Sequence, residues 1–172
     1  KKTGGEINPK MIAIFEWPSL AAKKRFEQDT RFQAILPIRN EALEFIKFGY
    51  YQVSKNTSVT FRENKIYEFF GAWLNPNNGQ EKLQKYFKVS TPIKQNYGRP
   101  APVFKASFDV IKDSPKGKNI YQPHMAGIVE WDNSDDFFQL INSHAFKKQA
   151  APLMASALSR IDMLHAKLVF KN

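Results

Sequence analysis

Two short apolar runs, at 11–17 and 125–131, end in the same pair, Glu16-Trp17 and Glu130-Trp131, and each is followed by amphipathic sequence. Their length and apolar density predict largely buried strands. After the first, Pro18-Ser19 stops the strand and Ser19 caps a helix running through Phe26. A second helix is expected over 31–45, with Phe32, Ile35, Leu36, Ile38 and Leu43 as its apolar stripe and a kink or break at Pro37. Gly49 then releases the chain into a strand at 50–53. After the second run, Asp132-Asn133-Ser134 is a capping cluster, with helices over 135–142 and 146–163 and a final strand at 165–170.

The two stretches match beyond the Glu-Trp pairs. Phe26 falls against Leu140, Phe32 against Phe146, and, after one inserted residue, Pro37-Ile38 against Pro152-Leu153. Such a series in one order marks an internal repeat. Between the copies, strong β formers at 66–73 precede the turn cluster Asn75-Pro76-Asn77-Asn78-Gly79. Leu83, Tyr86, Phe87, Ile93 and Tyr97 keep helical spacing, and Gly98 is placed to end that helix. A strand over 103–110 and a turn at 113–117 follow.

Residues 63–172 therefore read as β-α-β-β-α-β, the ferredoxin-like order, and residues 1–62 as the second half of such a unit placed before it. A half unit leaves an open sheet edge. The expectation is that it docks sheet to sheet on the complete unit, with its edge closed by residues upstream of Lys1 or by a second chain in a homodimer. Gly4-Gly5 and Asn8-Pro9 read as the hairpin turn of such an upstream strand.

The residues Ile14-Phe15-Glu16-Trp17-Pro18-Ser19, Phe32-Gln33-Ala34 and Pro37-Ile38-Arg39 resemble a family of small bacterial domains of unknown function with a Glu-Phe/Trp-Pro-Ser motif. Tyr86, Pro92 and Tyr97-Gly98-Arg99 sit where that family has its first-helix aromatics and a Gly-Gly-Arg-like ending. The resemblance implies the dimeric α/β-barrel superfamily, in which two sheets pair around a cavity. Asp132-Asn133 stands in place of Pro-Ser in the second copy, and Met154 in place of Arg39. The superfamily spans enzymes, haem-handling proteins and regulatory domains, so the resemblance speaks to fold more than to activity.

Charge and composition narrow the classes. A net charge of +10 invites a nucleic-acid reading, but residues 1–62 and 63–172 carry +5 each with acids interspersed. With no cysteine there is no thiolate metal site and no cysteine nucleophile. His124, His144 and His165 have no metal-ligand spacing, and no metal or cofactor is expected. No run approaches the ~20 apolar residues of a membrane span, and the cytoplasm is the favoured compartment.

The candidate chemistry lies in the Glu-Trp pairs. A carboxylate closing a buried strand beside an indole is a candidate proton acceptor, which points to Glu130, with His124 as an alternative acid–base group. Tyr67, Trp73, Tyr97, Arg99, Trp131, Glu16, Trp17 and Arg39 are the candidate ligand-binding residues. The first reading is a protein that binds an unidentified small molecule in an apolar, aromatic-lined cavity between sheet and helices, as a metal-independent enzyme or a binder. The alternatives are a nucleic-acid module using a basic, aromatic sheet face, and a structural or assembly domain.

Overall fold

The structure, a computed structural model, describes residues 2–51, 58–98, 102–107 and 120–169. The chain divides into two compact units, one of Lys1–Pro9, Tyr51–Ser114 and Gln122–Asn172, the other of Lys10–Tyr50 and Pro115–Tyr121. The class is mixed α+β.

The larger unit is built on five antiparallel strands in the order β1-β5-β2-β4-β3. These are β1 (Lys2–Gly4), β2 (Ile66–Leu74), β3 (Phe104–Ser107), β4 (Met125–Trp131) and β5 (Leu158–Ala166). Helix α3 (Gly79–Asn96) joins β2 to β3, while α4 (Ser134–Asn142), a π-helical turn at Phe146–Ala150 and α5 (Ala151–Ala157) join β4 to β5. From β2 onward the elements follow as strand, helix, strand, strand, helical segment and strand.

Local chemistry sets the helix ends. Asn78 takes the left-handed conformation that asparagine tolerates, and Gly79 opens α3 where a Cβ would stand 2.8 Å from the Ala157 carbonyl oxygen. Gly98, at positive φ, follows the helix as expected. The Asn133 side chain accepts from the Asp135 and Asp136 amides and caps α4.

Cross-strand partners share a sheet face, so the register sorts the side chains. Ile66 and Trp131 pair on one face, followed by Glu68 with Val129 and His165, then Phe70 with Gly127 and Met163. This face carries the helices. Val129 and Trp131 join Leu83, Tyr86, Ile93, Phe137, Leu140 and Phe146 in the core. Full burial of each such side chain stabilises the fold by about 1.5–3 kcal/mol. The other face carries Tyr67 with Glu130, Phe69 with Ile128 and Leu164, and Trp73 with Arg160.

Two expectations for this unit fail. The last helix ends at Ala157, and β5 begins at Leu158, inside the segment read as helical. Leu158, Ile161 and Leu164 mimic helical spacing, but the segment pairs along the whole of β2, from Leu74↔Leu158 to Tyr67↔Ala166. Residues 167–169 have no regular structure, and Phe170 lies outside the described residues. The Gly4-Gly5 hairpin is also absent. Residues 2–4 are β1 on the edge of β5, and Gly5 at positive φ lets the following Glu6 amide donate to Asp162 at 2.8 Å.

The smaller unit holds α1 (Leu20–Gln28), capped by Ser19 as expected, and α2 (Thr30–Ala42), which keeps Pro37 inside it. Residues 11–17 form no strand. An extended segment needs a neighbouring ladder to be stable, and here the described residues supply none. A single parallel bridge, Phe48↔Ile120, is the β pairing described in this unit. The second sheet that sheet-to-sheet docking requires is therefore missing among the described residues, and the 50–53 strand falls partly outside them.

The repeat also diverges in burial. Trp131, Leu140 and Phe146 are buried, whereas their counterparts Trp17 and Phe26 are 38% and 43% exposed and Phe32 is half-buried. Trp17 packs on Phe26 and Phe26 on Phe32, with ring centroids 5.1 and 4.4 Å apart. Lys23 is the buried residue of α1, its ammonium 2.5 Å from Glu27 and over the Tyr50 ring. No residue of α2 is buried.

Candidate functional site

Tyr67 and Glu130 face each other across the β2–β4 pair, on the sheet face opposite the core helices. The Tyr67 hydroxyl donates to Glu130 Oε2 at 2.9 Å and accepts from the Arg62 amide. The Arg62 guanidinium takes the other carboxylate oxygen, Oε1, at 2.5 Å. Both oxygens of Glu130 thus have a donor. The Phe61 ring stands edge-on against Tyr67, with centroids 4.8 Å apart. Burial, reinforced by the hydrogen bond to Glu130, pushes the Tyr67 phenol up from its usual value, so it remains a donor across the neutral range.

Beside this cluster Phe61, Glu63, Asn64 and Leu168 line an open recess of about 410 Å³. Next in the chain, Lys65 pairs with Asp132, and that hydrogen bond holds the lysine above its usual value. The Tyr67 proton and both Glu130 oxygens are engaged within the cluster, so the group it presents to solvent is the Arg62 guanidinium. It has the parts to orient a small acceptor-bearing group.

The remaining predicted residues are dispersed. Trp131 lies on the opposite face from Glu130, fully buried, its indole N–H donating to Glu68 Oε2 at 2.8 Å. Trp73 lies at the far end of β2 from Tyr67, with the Arg160 guanidinium 4.3 Å over its ring. His124 is exposed, and its Nδ1 accepts the Leu74 amide at 2.8 Å, a bond that closes the end of the β2–β4 ladder. Tyr97 follows the last turn of α3 and packs, half-buried, on the core. Arg99 lies outside the described residues.

Glu16, Trp17 and Arg39 belong to the smaller unit. Glu16 is exposed on a segment without strand structure, so it is not the positional counterpart of Glu130 at a strand end. Arg39 bonds Asn40 Oδ1 at 3.0 Å and, with Leu43, Phe45 and Phe48, lines a second open recess of about 330 Å³.

Sequence reasoning passed over Arg62 and Glu68. Glu68 is a buried carboxylate among the helices, 3.9 Å from His165 Nε2 and bonded by Trp131. Period-two alternation carried the signal, since Glu68 falls on the same face as Ile66 and Phe70. Among the described residues no cluster of His, Asp and Glu has the make-up of a metal site, and no helix is long and apolar enough to cross a membrane.

No protein family profile matches the chain, and no curated protein does. Among solved structures the chain is similar to RPA0582, a protein of unknown function from Rhodopseudomonas palustris. The TM-score is 0.52 at 18% identity, over 64% of this chain and 86% of that one. The methylated RPA0582 protein gives a TM-score of 0.52 at 18% identity, over 63% and 84%. At this identity the likeness is one of fold.

Proposed function

We propose that the chain is a small-molecule-binding protein of the ferredoxin-like, dimeric α/β-barrel type, with its ligand held on the sheet face opposite the helices by the exposed Arg62 guanidinium, which Glu130 and the buried Tyr67 position. The β-α-β-β-α-β order and the strand order β5-β2-β4-β3 support the fold assignment. The observation that carries the binding reading is the Tyr67–Glu130–Arg62 cluster, packed on Phe61, whose ring also lines an open recess with Glu63, Asn64 and Leu168.

The nucleic-acid alternative needs aromatic faces open for stacking on bases. Tyr67 is 2% exposed, with Phe61 against it, so its ring has no open face for a base to stack on. The test is a fragment library titrated into the isotope-labelled protein and followed by amide shifts. Fragments that move Phe61, Tyr67 and Glu130, and lose at least tenfold in affinity to Glu130→Gln, support the reading. Fragments that bind elsewhere, or a variant that binds them unchanged, contradict it.

A further inference from the structure

Arg39 carries a charge that nothing beside it balances. It is half-buried in the last turn of α2, with its guanidinium 5.8 Å over the Phe48 ring. Its bonded partner is the neutral Asn40 side chain, whose Oδ1 accepts from Nε at 3.3 Å and from Nη2 at 3.0 Å. Among the described residues no carboxylate pairs with it; Glu44, on the same recess, is exposed and makes no ion pair with it. A guanidinium has five N–H donors, so three remain, on Nη1 and Nη2. They form the end of the fork that matches the two oxygens of a carboxylate. Partly desolvating a cation without a counter-charge is unfavourable, and a bound anion offsets that cost.

The rest of the recess is apolar. Leu43, Phe45 and Phe48 line it with Arg39, and Leu43 and Phe45 are 37% and 45% exposed. Its volume, about 330 Å³, is at the lower end of the range for small-ligand sites. From this arrangement we propose that the recess binds an aromatic carboxylate, with the carboxylate on Nη1 and Nη2 of Arg39 and the ring against Leu43 and Phe45. A bare inorganic anion would leave those two side chains in water, and a neutral aromatic would leave the charge unmatched. The internal repeat points the same way. Met154, which aligns with Arg39, packs on the core, so the shared sequence pattern does not itself require a guanidinium at this position. The site lies in the smaller unit and does not rest on the reading of the Tyr67–Glu130–Arg62 cluster.

Phenylacetate titrated into the isotope-labelled full chain, with amide and arginine Nε–H signals followed, tests this. The expected result is saturable shifts at Arg39, Leu43, Phe45 and Phe48. Phenylethanol, a similar molecule without the charge, binds about tenfold more weakly, and so does inorganic phosphate. Arg39→Lys keeps a cation at the end of α2 but loses the fork, and phenylacetate affinity falls about tenfold. A purely local role of Arg39 at the helix end would leave that affinity where it was. Shifts at Phe61 and Tyr67 report on the other cluster and are read separately. The proposal is overturned by the absence of saturable shifts at these four residues, by shifts confined to Phe61 and Tyr67, by equal binding of phenylethanol or phosphate, or by an unchanged affinity in Arg39→Lys.

Discussion

Across the β2–β4 pair the Tyr67 hydroxyl donates to Glu130 Oε2 at 2.9 Å, while the Arg62 amide and guanidinium close on the same two side chains. One short loop residue thereby ties the start of β2 to the end of β4. The motif predicted the carboxylate. The register supplied its partner, because Tyr67 and Glu130 are opposite one another in the ladder.

Tyr67→Phe removes a buried hydroxyl and leaves a carboxylate oxygen without that donor. The expected loss is about 1–2 kcal/mol of unfolding free energy, measured by urea denaturation. Loss below a few tenths would show that the bond is not made in solution.

The pH dependence has a defined sign. The Tyr67 phenol is raised above its usual 10.0 in the folded chain, so its contribution is complete below that pH and is lost as pH rises through the folded value. Above about pH 10 the unfolded chain has released this proton and the folded chain has kept it. Wild type should therefore lose stability with rising alkalinity more steeply than Tyr67→Phe. Parallel stability curves for the two would contradict this.

The repeated Glu-Trp pairs give a matched comparison. Trp131 is 1% exposed and donates to buried Glu68, whereas Trp17 is 38% exposed and stacks on Phe26. Trp131→Phe should cost about 2–3 kcal/mol, since it removes the indole donor from a buried carboxylate. Trp17→Phe should stay within about 0.5 kcal/mol. Equal costs in chemical denaturation would show that the two copies are buried alike.

These contrasts explain what was legible in the sequence. Strand β4 was readable because a dense apolar run, broken only by Glu130, ends at a capping cluster, and α3 because its apolar positions keep one period between Gly79 and Gly98. Strand β5 was not, because Leu158, Ile161 and Leu164 imitate a helix until β2 is there to pair with them. Residues 11–17 misled for the opposite reason: similarity to β4 carries no information about whether a neighbouring strand exists. Arg62 was invisible because its role depends on a tertiary approach to a residue 68 positions away.

Gly5 sits at φ +86°, and a Cβ there would lie 1.9 Å from Asp162 Oδ1. Gly5→Ala should therefore release β1 from β5 or cost about 1–3 kcal/mol. Hydrogen exchange at Leu164, the partner of Lys2, checks this. Unchanged protection together with unchanged stability would show that the turn is built differently.

The central claim is that the Tyr67–Glu130–Arg62 cluster holds a small molecule, and a crystal structure of the protein soaked with the strongest fragment from the shift titration tests it most directly. The account predicts density in the recess beside Phe61 and Leu168, with a polar atom of the fragment within hydrogen-bond distance of Glu130 or Arg62. A fragment seated against other residues, with the Tyr67–Glu130 bond and the Arg62 ion pair unchanged and the recess empty, would contradict it.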